Sequence, residues 1–420
     1  MQVQIEIRYD RAKTVGIFHH TRAAIVILNA EPVCARLPHQ RRRKEPIAMQ
    51  PLHRRPAVPV HHGRGPRLRQ KRPHHPRLLS FFGINGVRTE YAESVSVVTP
   101  NDCFHFGGVH GNFDYMALTE LHLHLEGTVD RETVMLLDPT LTPEEVARFW
   151  DFSDFGGFLN CFKFVAQRLR GPADYALITR RMMESLARQG VTYAEVTLGA
   201  GVVLWRGFDL DSVWRAIREA QREAAARTGV EVWWNLDAIR QFGADHVMEV
   251  AKVAARYAGD GAISFGIGGD EVRGPAADFR DAYRYAKDAG LRLTAHAGET
   301  DGPSSIRAAL DIGAERIGHG IRAIDDPDLM RRLRDEEIPL EVCITSNVRT
   351  GAVASLAGHP VRRLFDEGVP ITLNSDDPGL FESSLESEYA LAERIFGFSE
   401  VERNALRLAA DRFRFRNWSR

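Results

Sequence analysis

The chain has 420 residues, enough for one large α/β domain or two ordinary ones. A content of 44% hydrophobic and 26% charged residues, at a formal net charge of -1, excludes a wholly disordered or collagen-like chain. No apolar run reaches the roughly 18 residues of a membrane span, and the opening MQVQIEIRYDRAK lacks the apolar core of a secretory signal. The expected location is therefore the cytoplasm, with no membrane partner. The separated cysteines Cys34, Cys103, Cys161 and Cys343 form no CxxC pair, which argues against a disulfide framework or a thiolate zinc knuckle.

Charge divides the chain. Residues 1–115 carry 18 Lys and Arg against 8 Asp and Glu, whereas 116–420 carry 37 against 48. Within 41–77 stand twelve basic residues, one Glu, and prolines at 46, 51, 56, 59, 66, 73 and 76. Such spacing interrupts helices and ladders while like charges repel, so residues 1–115 are expected to be an irregular, largely disordered basic extension. Nucleic-acid binding through phosphates is the sharper reading of this tract. A loosely attached segment, translated ahead of a natural start at Met116, is the plainer and preferred one. Ser94 to Val98 is a candidate short strand within it.

From 116 to 420 the pattern is that of a single catalytic domain in which apolar strands alternate with amphipathic helices. Strands are expected at 120–123, 192–198, 230–237, 262–268, 291–296, 316–319, 339–345 and 370–375. Helices are expected at 173–189, 209–228, 244–258, 276–289, 303–312 and 325–336. Strands linked by helices pair in parallel, and eight such units fit a closed (β/α)8 TIM barrel with a long helical excursion after the first strand.

Polar residues gather at the strand ends, where barrel chemistry is assembled. His122 and His124, at i and i+2, point to one face. His296 and Glu299 follow strand five, His319 ends strand six, and Asp376 and Asp377 follow strand eight. One histidine at a strand end is more often a satisfied structural residue than a ligand. The whole set, gathered in one mouth, would be costly without a metal or dense hydrogen bonding. Three imidazoles and a carboxylate suit zinc better than magnesium.

The segments Glu120-Leu-His-Leu-His-Leu-Glu-Gly-Thr128, Gly269-Asp-Glu271, His296-Ala-Gly-Glu-Thr300, Arg316-Ile-Gly-His-Gly320, Thr345-Ser-Asn-Val348 and Asn374-Ser-Asp-Asp-Pro378 resemble, in order and spacing, the adenosine deaminase family of zinc-dependent hydrolases. The resemblance leaves 1–115 uncovered. It implies a (β/α)8 barrel and replacement of a purine 6-amino group by oxygen, with loss of ammonia. One zinc ion per chain would be held by His122, His124, His296 and Asp376. Glu299 would carry a proton to purine N1, and His319 would act on the attacking water and the developing hydroxyl. Asp377 would share a proton with N7, and Gly269 would offer its N–H to N3. The helix bearing Phe158, Leu159 and Phe162 would cover the substrate, although ordinary packing on the rim is the plain alternative. The cytidine deaminase pattern needs a PCxxC that this sequence lacks.

Substrate choice is left open by the sequence. Glu126 stands where the adenosine-specific pattern has Asp at the ribose 5'-hydroxyl, and Glu is a feature of the adenine deaminase branch. His359-Pro360 and the run Thr345 to Gly351 look more like the nucleoside-acting branch. Adenosine or deoxyadenosine is the expected substrate, with a 5'-substituted adenosine such as 6-amino-6-deoxyfutalosine, or free adenine, as alternatives. Arg206 and Arg240 are candidates for an anionic 5'-group. A non-catalytic zinc-stabilised binding protein is the remaining reading, and the presence of Glu299, His319 and Asp377 argues against it.

Overall fold

The structure, a computed structural model, describes residues 117–416 together with the backbone of four short strands nearer the N-terminus. The chain divides into two units, Met1–Phe104 and His105–Arg420. In the first, Ile5–Tyr9 pairs antiparallel with Lys13–Ile17, and His19–His20 with Ala23–Ala24. The basic tract at 41–77 and the strand expected at 94–98 lie outside the described residues.

In the second unit eight strands form one parallel sheet in sequence order: β1 (Leu118–His124), β2 (Val191–Leu198), β3 (Glu231–Ile239), β4 (Ala262–Gly268), β5 (Arg292–Ala297), β6 (Arg316–His319), β7 (Leu340–Val342) and β8 (Ile371–Leu373). The ends meet. The His124 N–H donates to the Asp376 carbonyl at 2.9 Å and the Asp376 N–H to the His122 carbonyl at 3.0 Å, closing a (β/α)8 barrel as expected.

Strand parity explains the two layers of core. In β3, Val232, Trp234, Leu236 and Ala238 are buried at alternate positions within the main apolar cluster. The opposite parity supplies Asn235, which donates to the Thr197 hydroxyl at 3.1 Å and accepts from Ser264 at 3.1 Å. Neighbouring strands are thereby joined by a polar layer. At the other end of the interior, Leu121 and Tyr193 pack with Ala410 and Phe413 of the C-terminal segment.

The strand expected at 339–345 ends early, because a helix begins at Ile344 and runs to Arg349. The Glu388 carboxylate accepts the Ile344 N–H at 2.8 Å, the Thr345 N–H and the Thr345 hydroxyl, and so satisfies donors that a helix start leaves free. A cap supplied from 43 residues downstream overrides the strand preference of the local sequence.

Between β1 and β2 run a single 3-10 turn and four α-helices, including Phe155–Ala166, whose first turn is capped by Asp154 accepting from the Gly157 N–H at 2.7 Å. Phe158 of this helix stacks on Phe381 with ring centroids 5.1 Å apart and meets Phe162 at 6.2 Å. Phe381 closes the short helix Pro378–Phe381 that directly follows Asp377, so the excursion is anchored beside the end of β8.

Candidate active site

Four histidines and two aspartates converge at the C-terminal mouth of the barrel. His122 and His124 approach Asp376 Oδ1 with their Nε2 atoms, each at 3.3 Å, and His124 Nε2 lies 3.1 Å from His296 Nε2. His319 Nε2 stands 3.6 Å from Glu299 Oε2 and 3.9 Å from Asp376 Oδ2. Donor atoms of His122, His296, His319 and Asp376 lie within 4.8 Å of one another, as do those of His124, Asp376 and Asp377. His319 and Asp376 carry φ of 60° and 62°, left-handed backbone that costs a non-glycine residue energy and that aims both side chains across the mouth.

The donor set fits a metal ion. His122 gives its Nδ1 to Glu341 Oε2 at 2.7 Å and His296 gives its Nδ1 to the Ile267 carbonyl at 3.1 Å, which leaves each Nε2 to face the shared centre. His122 Nε2 is buried with no hydrogen-bond partner. Burial pushes His124 down to about 4, and burial with the neighbouring imidazoles holds His296 well below its ordinary value, so both rings are neutral. At His122 burial acts in the same downward sense, but Asp376 and Glu341 outweigh it and favour positive charge there. That is the charge a bound cation supplies.

Glu299 is 8% exposed, and its carboxyl is raised by burial, so it holds a proton to higher pH than a free glutamate. Thr350 donates to its Oε1 at 3.3 Å. Asp377 is raised well above the aspartate range by burial and by Asp376 beside it, and its Oδ1 has no hydrogen-bond partner. Gly127 makes room for it: a Cβ there would stand 1.9 Å from Asp377 Oδ1. Gly269, at φ 98°, turns the chain out of β4.

Several residues are given positions that their motifs did not disclose. Glu271 accepts the N–H groups of Gly298, Glu299 and Thr300 at 2.7, 2.9 and 2.8 Å and the Ser305 hydroxyl at 2.5 Å. Burial opposes its charge, but bonds from Ser305, Thr300 and Gly298 hold it below the usual range, an ionised clamp on the Glu299 loop. Glu126 is fully buried, both oxygens against the Gly199 N–H at 3.2 and 3.3 Å, and burial pushes it up to about 7. Phe158, Leu159 and Phe162 are half-buried on the helix Phe155–Ala166. The two arginines considered for an anionic group both reach backbone carbonyls, while the Nη2 of Arg240 is buried with no hydrogen-bond partner. Arg240 donates to the carbonyls of Gly274 and His296 at 2.6 and 2.8 Å, and Arg206 to those of Ala166 and Leu169 at the end of the excursion helix.

With the barrel and its mouth defined, comparison with known proteins is decisive. The Adenosine deaminase family pattern matches residues 117–415. The chain belongs to the adenosine deaminase family. It is 38% identical over 292 residues to an aminodeoxyfutalosine deaminase of Streptomyces coelicolor, covering 67% of this chain and 75% of that one. It is 37% identical over 295 residues to an adenine deaminase of Rhizobium meliloti, covering 69% and 90%. Among solved structures, a Burkholderia ambifaria amidohydrolase with bound zinc is similar with a TM-score of 0.65 at 26% identity, covering 70% of this chain and 85% of that one. The protein is thus a deaminase-type hydrolase of small purine substrates, with a His and Asp group suited to a metal ion at its mouth. None of the helices described is long and apolar enough to cross a membrane.

Proposed function

We propose that this enzyme hydrolyses the 6-amino group of an adenine ring, releasing ammonia, with one zinc ion held by His122, His124, His296 and Asp376. The observation that supports this most is the convergence of those three imidazoles and the Asp376 carboxylate with two carboxyls, Glu299 and Asp377, whose hold on a proton burial strengthens. When bound, the ion supplies Lewis acidity that makes a water a nucleophile near neutral pH.

The protein's own groups then prepare the ring. Purine C6 is a poor electrophile, and a proton delivered by Glu299 to N1 moves electron density away from it. Asp377, carrying a proton, donates to N7, and Gly269 offers its N–H to N3. His319 stabilises the oxygen that develops on C6; the proton that the attacking water gives up restores Glu299, and the hydroxyl proton passes to the amino group, which departs as ammonia and leaves C6=O. The helix bearing Phe158, Leu159 and Phe162 limits water access, which strengthens these polar contacts.

Among substrates, free adenine is our first choice. Glu126 stands at the position that the resemblance assigns to the ribose end, and its buried carboxyl is spent on Gly199. The similarity to an adenine deaminase over 90% of that protein's length agrees with this. A 5'-substituted nucleoside, 6-amino-6-deoxyfutalosine, is the second reading, favoured by the similarity to the Streptomyces enzyme. Ammonia release should be compared for adenine, adenosine, deoxyadenosine, methylthioadenosine and 6-amino-6-deoxyfutalosine. We expect adenine to give the highest kcat/KM. Preference for adenosine with no turnover of adenine would overturn that choice, and no release from any of them would overturn the activity.

A further inference from the structure

His319 is the first member of a buried series that leads away from the mouth. Its Nδ1 lies 3.1 Å from Asn347 Nδ2, Asn347 Oδ1 lies 3.1 Å from His359 Nε2, and the Val361 N–H donates to His359 Nδ1 at 3.2 Å. His319, Asn347 and His359 are all buried. Asn347 is placed by the helix Ile344–Arg349, and His359 precedes the helix Val361–Asp366. Pro360 has no N–H, so Val361 is the first residue after His359 able to donate.

The series has one end whose polarity is fixed. A backbone amide can only donate, so His359 Nδ1 is the accepting nitrogen, and the proton of the neutral ring sits on Nε2. Burial pushes His359 down to about 3, in keeping with an uncharged ring. The Nε2 proton requires an acceptor from Asn347, which fixes the carbonyl oxygen toward His359 and the NH2 toward His319. His319 Nδ1 therefore accepts.

We propose that His359 and Asn347 are positioning residues that hold His319 as its Nε2–H tautomer, so that it faces the reacting centre as a hydrogen-bond donor. The nitrogen 3.6 Å from Glu299 and 3.9 Å from Asp376 then has no lone pair to receive a proton from water. It is suited to stabilising negative charge on the oxygen forming at C6, where a preset donor is worth more than in water. The opposite tautomer would need Asn347 turned over, and would end with the Val361 N–H facing an N–H of His359. The functional part of this inference rests on the proposed role of His319, while the tautomer does not.

Histidine-15N-labelled holoenzyme tests it, with the His319 signals assigned by their loss in H319Q. Nitrogen shifts and long-range couplings should report Nε2–H at His319 in the wild type. N347D keeps the shape but presents only acceptors, so His319 should switch to Nδ1–H. Its kcat should fall on the order of 10²- to 10⁴-fold, as for a histidine in the wrong tautomer, with KM and metal content little changed. H359A should lower kcat less, and H359Q, which retains an N–H donor, should recover most of the loss. Nδ1–H in the wild type, or wild-type kcat in N347D, would overturn the proposal. If N347D does not fold, the wild-type spectrum and the His359 pair decide. The spectrum needs no turnover, so a chain inactive on every aminopurine would refute the activity and leave the tautomer measurable.

Discussion

His122 and Glu341 are joined by a 2.7 Å hydrogen bond that turns the imidazole so that its other nitrogen faces the candidate metal centre. Glu341 is itself held by Arg316 Nε at 2.6 Å, and Arg316 reaches Glu195 at 2.7 Å and the Phe413 carbonyl at 2.9 Å. A chain of buried charges thus runs from the packed floor of the barrel to one metal ligand. Partners of this kind fix a ligand's orientation and tautomer. E341Q should therefore lower metal affinity on the order of 10- to 100-fold, read by competition with a chromophoric chelator. Unchanged affinity would show that Arg316 and Glu341 serve packing alone.

The ligand assignment itself is checked by elemental analysis. Wild-type protein should hold close to one zinc per chain, and H124A substantially less. Equal metal in the two would remove His124 from the set, leaving the alternative group of His122, His296, His319 and Asp376, whose donor atoms also lie together.

The mouth was legible because its residues sit in short fixed motifs at strand ends, where period-two parity and barrel topology bring together His122, His124, His296 and Asp376. Roles that depend on distant partners were not. Glu341 stands alone as a charge in the buried strand Leu340–Val342, a signal of an interior partner, yet only the fold names that partner as His122. Glu271 lies in the segment Gly269-Asp-Glu271, but its clamp on the Glu299 loop depends on how β4 and β5 lie beside each other. The carbonyls that Arg206 and Arg240 reach are likewise set by the fold, because a sequence does not show where a long side chain ends.

Glu388 links stability to pH. Burial raises its carboxyl from 4.5 to about 7, against the bonds from Thr345 and Ile344. Between those values the folded chain retains a proton that the unfolded chain has released, so this group's contribution falls as pH rises through the window. The total is at most about 3 kcal/mol. E388Q lacks the titration. Its urea unfolding curves, compared with wild type from pH 4.5 to 7, should show the wild-type advantage shrinking as pH rises. A widening gap would mean that the bonds to the helix start dominate.

We propose that the catalytic domain begins at Met116, since every candidate site residue follows it. A chain starting there should fold, with melting temperature and kcat/KM similar to the full chain's. Insolubility, or large loss of activity in a well-folded product, would make part of 78–115 a component of the barrel.

Glu299 separates binding from chemistry. Its carboxyl lies 3.6 Å from His319 and is raised by burial, the condition in which a glutamate keeps a proton to give. E299Q preserves size and one accepting oxygen, removes the proton carrier, and leaves His122, His124, His296 and Asp376 untouched. It should retain metal and bind substrate measurably, yet lose on the order of 10²- to 10⁴-fold in turnover, roughly 3 to 5 kcal/mol of transition-state stabilisation. Metal content, ligand affinity and single-turnover deamination belong on one preparation, so that slow product release does not hide a chemical defect. If metal-replete E299Q converts its best substrate at the wild-type single-turnover rate, the proton reaches N1 by another route, and Asp377 becomes the carboxyl to test next.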